Sequence, residues 1–576
     1  MITTIEKLLH LCWQPRWGLL MLAVLCLLAF VPGQHSIPPM DRDEARFAQA
    51  SKQMLESGDI ITVRFQQELR AKKPVGIYWL QSISAAVFDA DHIASYRLPS
   101  LAGAILVCLI GFWLARQLLP PPEAMIATML MAGSLVLAVE AHLAKTDAML
   151  AAVTLGQQAL LWRIFVTARS GDHVSGRLAI GFWGCFAFGI LIKGPITPII
   201  AIMTAATVSI GERRYNWLWG LRPVLGFITV TVMVLPWVVL VTHATDGAFL
   251  QTAIKGDLVN KLQQGQESHG APPLTHLMLV MVTFWPGSLI LARSLRVLIG
   301  RWHETEMLFL LGWVIPFWVI IEMTPTKLPH YMLPVMPGLA MLAALGARAV
   351  LAPAKPSKPQ KGKTATLPPL LMAILRKARQ LPLSTAAIYS WEILFIVASL
   401  ALGIVVLAAA TFYGGDRGAG FMALLLALGV AGTAGLWIYH SRLALLLPLL
   451  LLAALFHAVT LGLVLPSMKD IHLGPRLEAA IASLDQKPEI IAAAGYHEPS
   501  MVFALGTETL LFTPEDAALF LSEAPNGVAL IESRARSEFL GIVTENGRNA
   551  EIIATVEGYN ISRGQRVKIE IFRGSD

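Results

Sequence analysis

Residues 38–80 read PPMDRDEARFAQASKQMLESGDIITVRFQQELRAKKPVGIYWL, a long charge-dense stretch in a very apolar chain. Only 14% of the 576 residues are charged, 55% are hydrophobic, and the mean hydropathy is +0.61. Because that much apolar surface exceeds what one aqueous core can bury, the sequence predicts a polytopic α-helical membrane protein. The stretch carries Asp41, Asp43 and Glu44 near its start and Lys72-Lys73 near its end. We interpret it as the catalytic loop of a membrane enzyme.

The apolar runs around this loop predict the membrane spans. The run at 17–32 resembles a signal sequence, but no clear small-residue cleavage site follows it, so we expect an uncleaved first span. Since about twenty apolar residues cross the hydrocarbon core, the whole chain is expected to contain about thirteen spans. The pair at 178–211 also permits one kinked helix. The twelve further spans are expected near 98–118, 124–141, 146–163, 178–193, 195–211, 222–243, 273–292, 306–322, 330–350, 387–412, 419–439 and 443–466.

Basic residues predict the orientation of these spans. Every second loop is rich in Lys or Arg, at 163–177, 213–222, 293–301 and in the linker 351–386. Since such loops stay in the cytoplasm, the N-terminus is expected to be cytoplasmic and the C-terminal region periplasmic, across a bacterial inner membrane. The net charge of +7 follows largely from this bias, with some attraction to anionic membrane lipid. No nucleic-acid-binding module is visible, so we expect no nucleic-acid partner.

Four parts follow from this layout. Residues 1–350 form a transmembrane core with the external loop 33–97, residues 351–386 form a basic cytoplasmic linker, and residues 387–466 form three further spans. Residues 467–576 alternate short β-like and helical runs, which predicts a small α/β extracytoplasmic domain. Its β-like runs lie at 489–494, 528–532, 552–556 and 566–572.

The external loop breaks the positive-inside rule, because it carries eight Lys and Arg residues where few are expected. An excess of cations of that size predicts an anionic ligand. Residues 43–55 have helical periodicity, with polar side chains such as Arg46 and Lys52 away from the apolar face. They predict a helix that lies in the membrane interface.

Each candidate side chain also has a simpler interpretation. Asp43 and Asp147 stand where helices begin, so each could cap a helix N-terminus. Lys72, Lys73 and Lys327 could extend from helix ends towards water, and Tyr331 could be an interfacial aromatic. His269 could be a solvated loop histidine. Lys193 has no acid near it in sequence, so it must pair with a distant acid or bind an anion.

The candidates nevertheless share one location. On the predicted topology Asp43, Lys72, Lys73, Asp147, Lys193, Lys261, His269, Lys327 and Tyr331 all fall at the external membrane boundary. A transporter would place ionisable residues near the bilayer midplane, often in repeated halves, and no such repeat is visible. A charged cluster at the boundary suits an enzyme whose substrate has a lipid tail and an anionic head.

Several motifs resemble one known superfamily. They are Asp43-Glu44-Ala45-Arg46-Phe47-Ala48, Met54-Leu55-Glu56-Ser57-Gly58-Asp59, Lys73-Pro74 with Tyr78-Trp79, Lys193-Gly194-Pro195, and Lys327-Leu328-Pro329-His330-Tyr331-Met332-Leu333-Pro334. Over residues 10–350 they closely resemble the GT-C glycosyltransferases, in particular the lipid A aminoarabinose transferases and bacterial relatives of the protein O-mannosyltransferases. The resemblance implies transfer of a sugar from a polyprenyl-phosphate donor of the undecaprenyl type to an acceptor at the periplasmic face.

The resemblance also implies roles for individual residues. Asp43 corresponds to the catalytic acid residue, supported by Asp41, Glu44 and Arg46, and Asp147 corresponds to a second functional aspartate. A carrier-phosphate pocket is implied for Lys73, Lys193 and Tyr331, and a basic phosphate contact for Lys261. Lys72 and Lys327 are further candidates for binding the donor phosphate. His269 falls where the family places a metal-associated histidine. The aminoarabinose transferases, however, have Glu-Lys-Pro where this chain has Lys72-Lys73-Pro74, which weakens the expectation of a divalent metal cofactor and suggests that Lys72 meets a phosphate or an acidic sugar.

The chemistry is consistent with these roles. A phosphate leaving group needs positive charge more than a proton, and an acceptor hydroxyl needs a base. We therefore expect a single displacement that inverts the anomeric carbon, with a lipid, a glycan or a protein as acceptor. The alternatives are a flippase for polyprenyl-linked sugars and a non-enzymatic scaffold; a scaffold would tolerate changes at all these positions.

Overall fold

The computed structural model describes residues 15–253, 271–351, 385–524 and 526–575. Helices dominate these residues up to the last hundred. In chain order they are α1 (Pro15–Phe30), α2 (Asp43–Ser57), α3 (Gly76–Val87), α4 (Ile93–Leu118), α5 (Pro121–Ala132), α6 (Leu135–Ala141), α7 (Asp147–Arg169), α8 (Gly176–Lys193), α9 (Ile196–Glu212), α10 (Pro223–Ala244), α11 (Ala248–Gln251), α12 (Thr275–Thr283), α13 (Ser288–Arg301), α14 (Thr305–Met323), α15 (Met336–Leu351), α16 (Thr385–Phe412), α17 (Arg417–His440) and α18 (Leu446–Val459).

These helices make a multi-span membrane protein, as the composition predicts. Among the described residues nine helical segments are long and apolar enough to cross a membrane, or eleven if two bent pairs each count as one span. The pairs are α5 with α6, bent by 52°, and α12 with α13, bent by 120°. The expected number of thirteen stays a prediction, and most of the predicted linker 351–386 lies outside the described residues.

Short breaks bring distant charged residues to one end of the bundle. Because α7 follows α6 after only a few residues and α9 follows α8 at once, the start of α7 and the end of α8 lie side by side. Residues 33–97, with the short strands β1 (Arg64–Phe65) and β2 (Glu68–Leu69), meet this end through the hydrogen bond from the backbone of Ala144 to Glu44. The helix packing therefore assembles a polar site at a boundary of the apolar bundle.

Two glycines permit the closest helix contacts near this end. A Cβ atom on Gly103 of α4 would lie 2.7 Å from the backbone nitrogen of Met149, two residues into α7. A Cβ atom on Gly76, the first residue of α3, would lie 2.8 Å from the carbonyl oxygen of Leu191, near the end of α8. Both distances are shorter than ordinary contacts, so larger side chains would push apart the elements that carry the site.

The loop helix α2 forms where it is predicted, but protein covers it. Its polar residues Gln49 and Lys52 are buried together with Phe47 and Met54. The helix is confirmed, and α3 and a helix from the C-terminal region pack on it, whereas its place in the membrane interface stays a prediction.

The C-terminal region contains a five-stranded sheet. Its strands are β3 (Ile490–Ala494), β4 (Leu510–Phe512), β5 (Gly527–Glu532), β6 (Asn549–Asn560) and β7 (Gln565–Ser575), and its helices are α19 (Leu473–Ala482), α20 (Pro499–Leu505), α21 (Pro514–Glu523) and α22 (Arg536–Glu545). The strand order is β4-β3-β5-β7-β6, with β3 parallel to β4 and β5 and the other pairs antiparallel. Four of the five strands lie at the β-like runs of the sequence.

The close approach of α4 to α7 makes a testable prediction. Gly103→Ala should lower the stability of the detergent-solubilised protein by about 1–3 kcal/mol, because the added methyl group meets backbone that can yield only by moving α7. The matched control is Gly184→Ala in α8, where no atom lies within 4 Å of the added Cβ. Thermal unfolding of both variants checks this, and equal melting temperatures would contradict the packing.

Candidate active site

The start of the loop 33–97 is fixed by a buried ion pair. The side chains of Glu44 and Arg97 are 1% and 0% exposed. Arg97 Nε donates to Glu44 Oε1 at 2.7 Å, and Nη2 donates to Oε2 at 2.9 Å. The remaining guanidinium hydrogens go to the carbonyl oxygens of Gln34, Ile37 and Pro38. All five donors of the guanidinium group therefore have acceptors, which is what burial of an arginine requires.

Glu44 also joins two parts of the site. Its Oε2 accepts a hydrogen bond from the backbone of Met40, and its Oε1 accepts one from the backbone of Ala144, each at 2.9 Å. One carboxylate thus holds the start of α2, which bears Asp43, against the segment that leads into Asp147. The contacts of Glu44 are structural, and a supporting role in chemistry remains a prediction.

Asp43 is exposed at the first position of α2 and does not cap it. The N-cap residue is Arg42, with no side-chain capping hydrogen bond. The backbone of Ala45 bonds to Met40 instead. The capping interpretation of Asp43 is therefore wrong. Its charge acts on Tyr78 and on Lys145, so the carboxylate lies on the side of the charged cluster described next.

The second aspartate belongs to a buried row of charges. Asp147 Oδ1 accepts a hydrogen bond from Lys193 Nζ at 2.5 Å, and Lys145 Nζ pairs with Glu140 Oε1 at 2.9 Å. His330 lies between the two pairs, with Nδ1 3.8 Å from Glu140 Oε1 and Nε2 3.9 Å from Asp147 Oδ1. Asp147 makes no capping hydrogen bond to α7, so the capping interpretation of Asp147 is also wrong. Lys193 pairs with a distant acid, as its position requires.

An aromatic wall completes the cluster. Lys193 Nζ lies 5.6 Å from the centre of the Tyr331 ring. The ring packs edge-on against His330 at 5.1 Å, and it stacks on His276 at 6.5 Å. Lys73 lies near enough for its charge to act on His330. The structure therefore brings together Asp147, Lys193 and Tyr331 from three distant parts of the sequence.

The other predicted phosphate ligands are placed less centrally. Lys72 is exposed, and its carbonyl oxygen accepts a hydrogen bond from Lys73 Nζ at 3.1 Å. Lys327 Nζ donates to the carbonyl oxygens of Ile321, Glu322 and Thr324 at the end of α14, so its geometry favours the helix-end interpretation. Lys261 and His269 lie outside the described residues.

Several cations of the loop have partners within the protein. Lys52 pairs with Asp91 at 2.7 Å, and Arg70 donates to the Tyr78 hydroxyl at 2.8 Å, as Arg97 does to Glu44. Lys52 and Arg97 are thus balanced by carboxylates of the protein, whereas Arg70 meets a neutral hydroxyl, and an anionic ligand for the loop stays a prediction. Arg46 is half-buried and acts electrostatically on Tyr78.

Sequence reasoning missed Glu140, Lys145 and His330. A signal existed for Glu140, because an acid inside the apolar run Leu135–Ala141 is expensive without a partner. His330 stood within a motif that was noted only for its neighbours.

Although burial lowers the pKa of Lys145, the charges of Glu140 and Asp147 raise it above its ordinary value, so this lysine stays charged.

In the described ranges no group of three His, Cys, Asp or Glu side chains could hold a metal ion. Lys72 would repel a cation, and the predicted ligand His269 lies outside these ranges, so a divalent metal stays a prediction.

Sequence comparison identifies relatives of this chain. Residues 72–240 match the family model described as dolichyl-phosphate-mannose-protein mannosyltransferase. An undecaprenyl phosphate-alpha-4-amino-4-deoxy-L-arabinose arabinosyl transferase from Edwardsiella ictaluri is 28% identical over 338 residues, 56% of this chain and 58% of that protein. The protein of the same description from Pseudomonas aeruginosa is 27% identical over 335 residues, 57% and 59% of the two chains. The matches thus span less than two thirds of these relatives.

Structural comparison extends over the whole chain. ArnT from Cupriavidus metallidurans bound to undecaprenyl phosphate has a TM-score of 0.72 at 17% identity, covering 97% of this chain and 98% of that one. An oligosaccharyltransferase from Archaeoglobus fulgidus has a TM-score of 0.52 at 12% identity, covering 98% and 75%. The fold is that of a polytopic helical membrane protein of the kind seen in these two structures. The chain resembles the undecaprenyl-phosphate aminoarabinose transferases, and residues 72–240 resemble the protein mannosyltransferases, which confirms the resemblance seen in the motifs.

Asp41, next to the site, gives a pH prediction. Burial, with the charge of Glu498, raises the pKa of Asp41 from 3.8 to about 6, although hydrogen bonds from Ser500 and Tyr496 oppose the shift. The folded protein therefore binds this proton more tightly than the unfolded chain, and stability falls as pH rises from about 4 to about 6. The melting temperature of wild type minus that of Asp41→Asn should decline over this range. A difference that does not change with pH would contradict the assignment.

Proposed function

We propose that this protein transfers a sugar from a polyprenyl-phosphate donor of the undecaprenyl type to an acceptor at the periplasmic face of the bacterial inner membrane. The observation that carries the proposal is the meeting of Asp147, Lys193 and Tyr331 at the end of the helices, where Glu44 ties the start of α2, which bears Asp43, to the segment that leads into Asp147. The named relatives, which are arabinosyl transferases acting with undecaprenyl phosphate, support the same donor class.

The proposed topology follows from the same arrangement. Nine long segments, two bent pairs and the shorter apolar helices α1 and α9 would together make thirteen spans. An odd number with a cytoplasmic N-terminus would put residues 467–576 in the periplasm as an α/β domain, beside the external loop 33–97. Residues 1–350 would form the catalytic core, residues 351–386 the cytoplasmic linker and residues 387–466 the three remaining spans.

In the proposed mechanism the acceptor hydroxyl attacks the anomeric carbon of the sugar. Asp43 takes the hydroxyl proton as general base, since its carboxylate is exposed at the water boundary. The bond between the anomeric carbon and the phosphate oxygen breaks in the same step, with inversion. Lys73, Lys193 and Tyr331 stabilise the departing polyprenyl phosphate, and Asp147 orients Lys193 through its 2.5 Å hydrogen bond.

The acceptor and the remaining ligands are proposed on less direct grounds. Lipid A or another component of lipopolysaccharide is favoured by the arabinosyl transferase relatives, whereas a protein acceptor is suggested by the mannosyltransferase family model. Lys72 and Lys261 are proposed as outer contacts for the phosphate or for an acidic sugar. Lys327 is assigned instead to the end of α14, because three carbonyl oxygens occupy its ammonium group.

Removal of the proposed base tests the function directly. Asp43→Asn should lower the turnover of a polyprenyl-phosphate sugar by about 10²–10⁴-fold, because the acceptor hydroxyl loses its proton acceptor. The purified protein is supplied with a panel of such donors and extracted membranes, and released polyprenyl phosphate is measured by mass spectrometry. Asp89→Asn, an exposed acid of the same loop, is the matched control and should behave as wild type.

Two outcomes would overturn the proposal. Full activity of Asp43→Asn would remove the general base from the mechanism. Absence of turnover with every donor, combined with passage of lipid-linked sugar across vesicles that contain the protein, would replace the transferase with a flippase.

The lysine assignments give a second prediction. Lys193→Met should reduce kcat/KM for the donor by about 10²-fold, because it removes a fixed positive charge from the leaving phosphate. Lys327→Met should instead lower the melting temperature, with a smaller effect on the KM for the donor, because it frees carbonyl oxygens at the end of α14. The values of kcat, KM for the donor and the melting temperature are compared for the two variants. Equal increases in KM would show that Lys327 belongs to the phosphate pocket.

A further inference from the structure

We infer that the C-terminal region, Leu473–Ser575, sets the position of Asp43 by holding the two residues that precede it. The inference rests on the proposed function, because it assigns Asp41 and Arg42 as positioning residues for the proposed base. It also gives the C-terminal region a part in catalysis, although its own sequence contains no catalytic motif.

The first observation is a pair of polar ties next to Asp43. The Asp41 carboxylate accepts a hydrogen bond from the backbone nitrogen of Ser500 at 3.1 Å and one from the Tyr496 hydroxyl at 3.4 Å. Arg42 Nη2 donates to the carbonyl oxygen of Ser562 at 2.8 Å. These partners come from the turn after β3, the start of α20 and the turn after β6, so a folded sheet region is needed to present them together.

The second observation is the backbone of Arg42. Its φ of 70° and ψ of −113° fall in a region that L residues other than glycine rarely adopt. Such a conformation is unfavourable by itself and persists only where the surroundings hold it. The hydrogen bonds of Asp41 and Arg42 to the C-terminal region hold the backbone of Arg42 on one side, and the contacts of Glu44 hold it on the other. The orientation of Asp43 at the first position of α2 therefore depends on contacts outside the membrane core.

The third observation is an apolar anchor shared by both aspartate segments. Phe503 of α20 is 4% exposed and packs with Ala48 of α2 and with Ala144, three residues before Asp147. Its ring meets the Tyr96 ring edge-on at 5.5 Å, and Lys52 Nζ lies 5.3 Å from its centre. The C-terminal region thus shares one buried cluster with the helix that bears Asp43 and with the segment that leads into Asp147.

The same interface supplies a matched control at its far end. Gln49 Nε2 donates to Thr507 Oγ1 at 2.8 Å, and that hydroxyl donates to Glu56 Oε2 at 2.6 Å. Thr507→Val breaks contacts between the same two bodies but leaves the residues next to Asp43 untouched. It should preserve the turnover of wild type.

The experiment compares Asp41→Ala, Asp41→Asn and Thr507→Val in the full-length protein. Hydrogen exchange measured by mass spectrometry reports the protection of residues 40–47, and release of polyprenyl phosphate reports kcat and KM. Asp41→Ala should speed exchange in this segment and lower kcat by about 10- to 100-fold, because the base is displaced, while the KM for the donor changes little. Asp41→Asn should recover most of kcat, because its amide oxygen can still accept from Ser500.

A second variant keeps the test decisive if Asp41→Ala does not fold. Arg42 is exposed, and Arg42→Ala removes only the tie to Ser562 without changing the backbone requirement. It should change exchange and kcat in the same direction by a smaller factor.

The outcomes separate this inference from the function on which it rests. Faster exchange with unchanged kcat would show that the ties do not position the base, and unchanged exchange in both variants would show that they do not hold the segment. Either result overturns the inference while the active wild type preserves the transferase. An inactive wild type with every donor would refute the transferase itself, and the inference with it.

Discussion

The pairing of Glu44 with Arg97 is the interaction on which the site depends. A buried ion pair seldom adds much net stability, because removing both charges from water costs about as much as their attraction returns. Its value here is geometric, since the carboxylate and guanidinium groups also bind the backbone at Met40 and Ala144 and at the entrance of the loop. Three segments that are far apart in sequence can meet in only one arrangement that satisfies all these groups.

The buried row of charges next to this pair is also arranged so that each charge has a fixed partner. Lys193 and Lys145 would be costly in an apolar bundle, and each is balanced by one carboxylate, from Asp147 and Glu140. The lysines are thereby oriented at the end of the helices, where the proposed donor would place its phosphate group. An arrangement built before the substrate binds needs little reorganisation during the reaction, which is how fixed charges contribute most to catalysis.

Sequence reasoning predicted the elements better than the partners. Alternating spans and basic loops predict that Asp147 and Lys193 lie at one end of neighbouring helices, and the structure joins them at 2.5 Å. Local patterns could not predict that Arg97 meets Glu44, 53 residues away, or that α2 is covered by the C-terminal region. The capping interpretation of Asp43 failed for a related reason: the helix start is tied by contacts through Glu44 and Met40 rather than by the first acid that follows the turn.

Those long-range ties also explain why the segment with Asp43 is sensitive to both neighbours. Apolar packing holds α2 along its length, but its first turn relies on polar contacts, and Arg42 stands in a conformation that is unfavourable by itself. Local stability in proteins follows such contacts, so this turn is expected to open more readily than the helices beneath it. The exposed carboxylate of Asp43 lies on a turn that is held from two sides, so it can approach an acceptor at the surface. The buried Asp147 stays fixed by its hydrogen bond with Lys193. The two aspartates therefore differ in mobility because different contacts hold them.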